Sequence, residues 1–136
     1  MDLSTLQPGQ PLFSERIVIT PAQAAAYRSA VEDDDVLYEQ EHLVPPMAVA
    51  ALVMGTALRA VELPAGAVHT GQELEFAAPV AEGATLSCSA TVAQNSVRRG
   101  TRFLVIEILG GEADAPAVAG RISLAIAQEN EEPDAR

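Results

Sequence analysis

The chain has 136 residues, 49% of them apolar, and a net charge of −11; that is long enough for one hydrophobic core and too apolar for disorder. All eight basic residues are arginine, tryptophan is absent and only five residues are Phe or Tyr, which argues against nucleic acid, anionic membranes and base-stacking surfaces as partners. Cys88 stands alone, no basic-then-apolar leader opens the chain, and the longest apolar run (Pro45 to Val61) is broken by Arg59 and falls short of the ~20 residues of a membrane span, so the expectation is a soluble, cytoplasmic, single domain over residues 1–136.

In chain order, "FSERIVIT" (13–20) reads as a short strand. "TPAQAAAYRSAV" (20–31) reads as a helix with Thr20 as N-cap, Pro21 at the first helical position and Gln23 closing a capping box. "EDDDVLYEQEHLVPPM" (32–47) then raises the question of an active site or an acidic turn. "PMAVAALVMGTALRAVELP" (46–64) is a second helix, without charge on any face between Met47 and Leu58. A helix apolar all round must be covered all round, and its small residues suit enclosure by a curved sheet.

Four strands follow, at 67–80, 84–94, 101–109 and 117–127. Leu86, Cys88, Ala90 and Val92 alternate with Thr85, Ser87, Ser89 and Thr91, and Ile122, Leu124 and Ile126 oppose Arg121 and Ser123. "FLVIEIL" is apolar on nearly both faces, as a central strand should be. Turns at Glu82-Gly83, Arg99-Gly100 and Gly110-Gly111 predict an antiparallel four-strand meander. The acidic tail 128–136 is expected to be disordered. These elements add up to an α+β hot-dog fold, a curved antiparallel sheet wrapped around one long apolar helix. The rival, a cystatin-like or ketosteroid-isomerase-like sheet, lies over a more amphipathic helix than this one. Unpaired sheet edges and the apolar helix predict a homodimer.

"GAVHTGQELEFAAPVAEGATLSCSATV" resembles the strand pair of MaoC-like hydratases and dehydratases, which have G-Q-x-L-x-F-x-x-P-V-x-x-G there; Gly71, Gln72, Leu74, Phe76, Pro79, Val80 and Gly83 match. The resemblance extends over roughly residues 13 to 127. It implies a protein that binds an acyl-CoA or acyl-carrier thioester without a cofactor. It also implies an Asp and a His in a D-x-N-P-x-H signature, which activate the water added to the β-carbon of an enoyl thioester or run that step backwards.

The matching stretch is "DDDVLY". Asp33 matches the catalytic Asp, Asp35 replaces Asn, Val36 replaces Pro and Tyr38 replaces His, as in the fatty-acid-synthase-like branch, where one half of a pair can lack catalytic residues. A phenol ionising near pH ~10 is a poor general base near neutrality. Only residues 39 to 44 separate Tyr38 from the long helix, where the hydratases have a longer pocket rim. The family's His-Gly at the helix start is Pro45-Pro46 here, and proline has no N–H to polarise a carbonyl; the amides of Met47 and Ala48 are the remaining candidates. His42 is a second candidate base, although the dehydratase branch it resembles pairs its His with an acid on the long helix. His69 reads as an edge-strand surface residue and Cys88 as core. Arg98, Arg99 and Arg102 form the one basic cluster and are candidates for the phosphates of coenzyme A. No zinc spacing, P-loop, dinucleotide fingerprint or nucleophile elbow occurs, so no metal is expected. Three functions stay open: a hydratase/dehydratase with a degenerate site, a non-catalytic subunit stabilising a second hot-dog chain, and a hot-dog thioesterase, which would need a carboxylate on or beside the long helix.

Overall fold

A computed structural model describes residues 2–112 and 114–127; the tail 128–136 lies outside the described residues. A short 3-10 turn (Leu3–Thr5) precedes β1 (Pro11–Val18), α1 (Pro21–Ala30), α2 (Val36–Glu41), β2 (Leu43–Val44), α3 (Pro46–Val61), β3 (Val68–Phe76), β4 (Val80–Ala81), β5 (Thr85–Arg98), β6 (Thr101–Glu112) and β7 (Ala115–Ala127). The start of α1 is the expected one. Gln23 N–H donates to Thr20 Oγ1 (3.1 Å) and Thr20 N–H donates to Gln23 Oε1 (2.9 Å), a reciprocal cap of about 1 kcal/mol.

Five strands form one antiparallel sheet in the order β1-β5-β6-β7-β3, and β2 pairs with β4 apart from it. The fold is a hot-dog, with α3 lying on the inner face of the sheet. On β5 and β7 the inward side chains are those that the alternation indicated, Leu86, Cys88, Ala90 and Val92 and Ile122, Leu124 and Ile126; on the central strand β6, expected to be apolar on nearly both faces, Leu104, Ile106 and Ile108 point inward while Phe103 and Leu109 are exposed. Burial pushes the Cys88 thiol above its ordinary pKa, with a smaller push from Glu15, so this cysteine behaves as a core residue.

The expected four-strand meander is corrected in two places. Only β5, β6 and β7 follow one another as neighbours; β3 crosses over to pair with β7, from Val68↔Ala125 to Phe76↔Val118. The Glu82-Gly83 turn leads β5 to β1 instead, where Gly83 N–H donates to the Ile19 carbonyl (2.8 Å). No residue of β3 is buried, which suits an edge and not the centre of a sheet. Gly110-Gly111 is no turn either. It is a register shift within β6, where a Cβ on Gly110 would stand 2.9 Å from Val53 Cγ2 on α3 and 3.3 Å from Val118 Cγ1. The absent side chain lets the helix come down onto the sheet.

α3 is also covered less completely than expected. Ala48, Val49, Ala50, Val53, Ala57 and Val61 are buried against the sheet. On the opposite side Met47 and Ala51 are exposed and Leu52, Met54, Gly55 and Leu58 half-buried. The sheet wraps one side of the helix, and within this chain the other side stays open. Among the described residues no helix is long and apolar enough to cross a membrane.

Candidate functional site

The acidic stretch folds around a helix that the sequence reading did not anticipate. Asp33 N–H donates to the Arg28 carbonyl (2.9 Å), continuing from the end of α1. Asp35 N–H donates to Asp33 Oδ1 (3.1 Å), and Leu37 N–H donates to Asp35 Oδ1 (3.0 Å), which makes Asp35 the N-cap of α2. Position 35, Asn in the D-x-N-P-x-H signature, is therefore the cap, and position 36, Pro in the signature, is the first helical residue. Both are roles those residue types favour.

Tyr38, half-buried, occupies the third helical position of α2. His42 ends the helix in the left-handed region (φ 53, ψ 44), its N–H donating to the Tyr38 carbonyl. The His42 carbonyl accepts from Glu82 N–H (2.8 Å), so its backbone is fixed on both sides while the imidazole is exposed. Asp33, Tyr38 and His42 thus sit before, within and after one short helix. Among the described residues no hydrogen bond joins their side chains. Arg28 Nη1 meets Glu82 Oε1 at 3.3 Å, with side chains 13% and 11% exposed. This nearly buried pair ties the end of α1 to the turn that holds His42, and the sequence reading missed it because 53 residues separate the partners in the chain.

After β2 the chain enters α3 through Pro45 and Pro46. Ala48 N–H already donates to the Pro45 carbonyl (2.9 Å). Of the two candidate amides at the helix start, Ala48 is therefore engaged, and only Met47 is left to meet a substrate oxygen. A groove of about 340 Å³ runs between α1 and the open side of α3, lined by Ile19, Tyr27, Ala48, Ala51, Leu52 and Arg59 among others.

The three hairpin arginines do not form one patch. Arg98 lines a hollow on the outer face of the sheet with Phe103 and Ser123. Arg99 occupies the turn itself (φ 51) and is exposed. Arg102 points inward and is 8% exposed. Its Nη1 donates to Asn95 Oδ1 (2.7 Å), while Asn95 Nδ2 donates to the carbonyls of Leu3 (2.8 Å) and Leu6 (3.0 Å). Arg102 thus anchors the N-terminal segment from below and is not presented to a phosphate. Asp2, in that segment, is held below the usual carboxylate pKa by the Ser4 hydroxyl and amide, with a weaker attraction from Arg102. His69 lies exposed on the edge strand β3, beside a register shift. Among the described residues no three His, Cys, Asp or Glu side chains are grouped to hold a metal ion.

A family model described as "FAS1-like, dehydratase domain region" matches residues 7–119. Among solved structures, the (R)-hydratase from A. caviae involved in PHA biosynthesis is 22% identical, with a TM-score of 0.73 over 90% of this chain and 98% of that one. The MaoC-like dehydratase from Rhodospirillum rubrum is 14% identical, with a TM-score of 0.73 over 95% and 98%. The C-terminally truncated HadBC (3R-hydroxyacyl-ACP dehydratase) complex from Mycobacterium tuberculosis is 17% identical, with a TM-score of 0.68 over 88% and 98%. Likeness at these identities speaks for the fold alone. No curated protein sequence matches the chain.

Proposed function

This chain belongs to the FAS1-like dehydratase-region family, and from that premise we propose that it holds an acyl thioester in the hydratase/dehydratase manner, with a catalytic pair too degenerate to turn substrate over at an enzymatic rate. The observation behind this reading is the state of the signature. Asp33 gives Oδ1 to the Asp35 amide, and the place of the family's His is filled by Tyr38. Hydration needs a base that takes a proton from water as the oxygen adds to the β-carbon, and an acid that returns one to the α-carbon. Asp33 can orient the water and Tyr38 can donate to it, but neither completes the exchange. His42 stands at the far end of α2, beyond hydrogen-bond contact with either side chain.

Binding asks for less. The acyl chain lies in the groove between α1 and α3, its thioester carbonyl turned to the Met47 amide. Arg99 at the hairpin tip meets the phosphates of a coenzyme A or carrier. Purified protein mixed with crotonyl-CoA should give no loss of the conjugated thioester absorbance above the uncatalysed rate, while calorimetry registers binding. Brisk hydration abolished by Asp33→Asn and by Tyr38→Phe or His42→Ala would overturn the reading and make the loop a working site.

A second reading is supported by the open side of α3. Met47, Ala51, Leu52, Met54 and Leu58 present an apolar strip that another hot-dog chain would cover, a second copy or a partner with an intact Asp/His pair. In that arrangement this chain stabilises its partner and contributes no proton transfer. Ala51→Arg should then halve the sedimenting mass of the purified protein or of its complex; an unchanged mass would remove α3 as the joint. The thioesterase reading has no comparable support, since α3 contains no Asp or Glu from Pro46 to Val61.

A further inference from the structure

The groove between α1 and α3 contains one charge, that of Arg59, and the binding scheme above does not use it. Positions 48, 52, 55 and 59 recur at helical spacing, so they form one stripe along α3 from its start to its last turn. Ala48, Leu52 and Arg59 of that stripe line the groove, and no other residue of the lining is charged. A cation in the last turn of a helix ordinarily serves the negative end of its dipole. Arg59 is in the last turn of α3, but its guanidinium turns the other way. Nη2 donates to Thr56 Oγ1 (3.3 Å), and that hydroxyl donates in turn to the Leu52 carbonyl (2.8 Å). Nη1 lies over Gly55, 3.3 Å from where a Cβ would stand. The missing side chain at position 55 and the hydroxyl at position 56 thus hold the guanidinium back along the helix, one turn nearer the Met47 amide.

What this guanidinium lacks is an anion. The chain has 19 acidic residues against eight arginines. Arg28 and Arg121 each meet a glutamate, yet among the described residues no carboxylate forms an ion pair with Arg59. A guanidinium presents five N–H donors in a planar fork that matches a carboxylate, and Thr56 accepts from only one of them. Tyr27, half-buried on the α1 side of the groove, adds a hydroxyl donor. Eight residues separate Met47 from Gly55, a rise of roughly 12 Å along the helix, which an extended chain of about ten carbons spans. A thioester carbonyl at the Met47 amide therefore places the far end of such a chain beside Arg59.

We propose that the groove takes a dicarboxylic half-thioester, an acyl chain whose far end is a free carboxylate, and that Arg59 selects for that end. This substrate class rests on the acyl-thioester reading above and goes beyond it by specifying how the chain terminates. A plain acyl chain of the same length would lay its terminal methyl against the guanidinium and strip water from it with no new partner. Calorimetry of the full chain tests the proposal with two ligands, decanoyl-CoA and the half-CoA ester of decanedioic acid, at about pH 7, where the free carboxylate is ionised. The half-ester should bind about tenfold more tightly, the effect of one charge-assisted contact. Arg59→Met, which keeps the stem and removes the charge, should bring the half-ester down to the affinity of decanoyl-CoA, and Arg59→Glu should reverse the order of the two. Circular dichroism checks the fold of both variants, which change a residue already exposed to solvent. Equal affinity of the wild type for the two ligands would overturn the carboxylate while leaving the acyl-thioester reading in place. Arg59→Met weakening both ligands alike would do the same, as the mark of a contact to the coenzyme's phosphates. Binding of neither ligand would overturn both readings.

Discussion

Gly120→Val will detach β3 from the sheet and destabilise the fold by about 3 kcal/mol or more, at the upper end of overpacking costs. A Cβ at Gly120 falls within the contact radius of the Glu73 carbonyl oxygen and stands 2.8 Å from Leu74 Cδ2. The first obstacle is backbone of the neighbouring strand, which cannot swing aside as a side chain could. Relief requires β3 to move, and β3 is an edge strand paired to β7 alone. Urea unfolding measures the loss, and hydrogen exchange should show the amides of β3 opening first. Gly71, a glycine of the family motif in the facing strand, is the control. A Cβ there meets nothing within 4 Å, so Gly71→Ala should change stability by no more than about 0.5 kcal/mol. Equal costs at the two positions would refute the steric account.

Asn95→Ala should cost about 2–4 kcal/mol, since hydrogen bonds to charged groups contribute ~1.5–3 and neutral ones ~1 each. One amide side chain accepts from the nearly buried Arg102 and donates to two carbonyls of the N-terminal segment. Its removal strands the guanidinium and frees the segment whose Leu6 is 3% exposed in the core. Arg102→Met should cost less, because it removes the charge together with its need for a partner and keeps most of the volume. Urea unfolding ranks the two, and limited proteolysis should cut Asn95→Ala earliest near the N-terminus. If Arg102→Met proved the more damaging, the guanidinium would have to be a net stabiliser and not a burden that Asn95 relieves.

The inward faces of β5 and β7 and the start of α1 could be read from the sequence because each is a local pattern. Leu86, Cys88, Ala90 and Val92 alternate whatever strand lies beside them, and Thr20 and Gln23 cap each other across three residues. The partner of β3 could not be read this way, since alternation fixes which side of a strand is buried and not which neighbour it joins. α2 escaped notice because six residues bearing two glutamates show no apolar period. Arg102 was grouped with Arg98 and Arg99 by proximity in the chain, yet the evidence of its direction was present. The phase of Leu104, Ile106 and Ile108, carried two residues back, points position 102 inward. Proximity along a hairpin gathers side chains that the period of two sends to opposite faces.

In the candidate site the sequence identified the stretch but not its internal use. Asp33 and Asp35 were visible as carboxylates; their employment in the turn and cap that open α2 depends on backbone geometry. Likewise the two prolines showed that an amide was lost at the start of α3, while the engagement of Ala48 by the Pro45 carbonyl is visible only in three dimensions.

The pairing of β3 with β7 also sets an order of events during synthesis. Val68 must find Ala125 and Phe76 must find Val118, so β3 leaves the ribosome well before the strand it needs. Meanwhile β5, β6 and β7 can zip as successive hairpins, the low-separation contacts that form fastest. β3 closes last, against the larger entropy of a long loop. Until then it waits as an unpaired strand, and its glutamates, Glu73 and Glu75, keep that interval from ending in contact with another nascent chain.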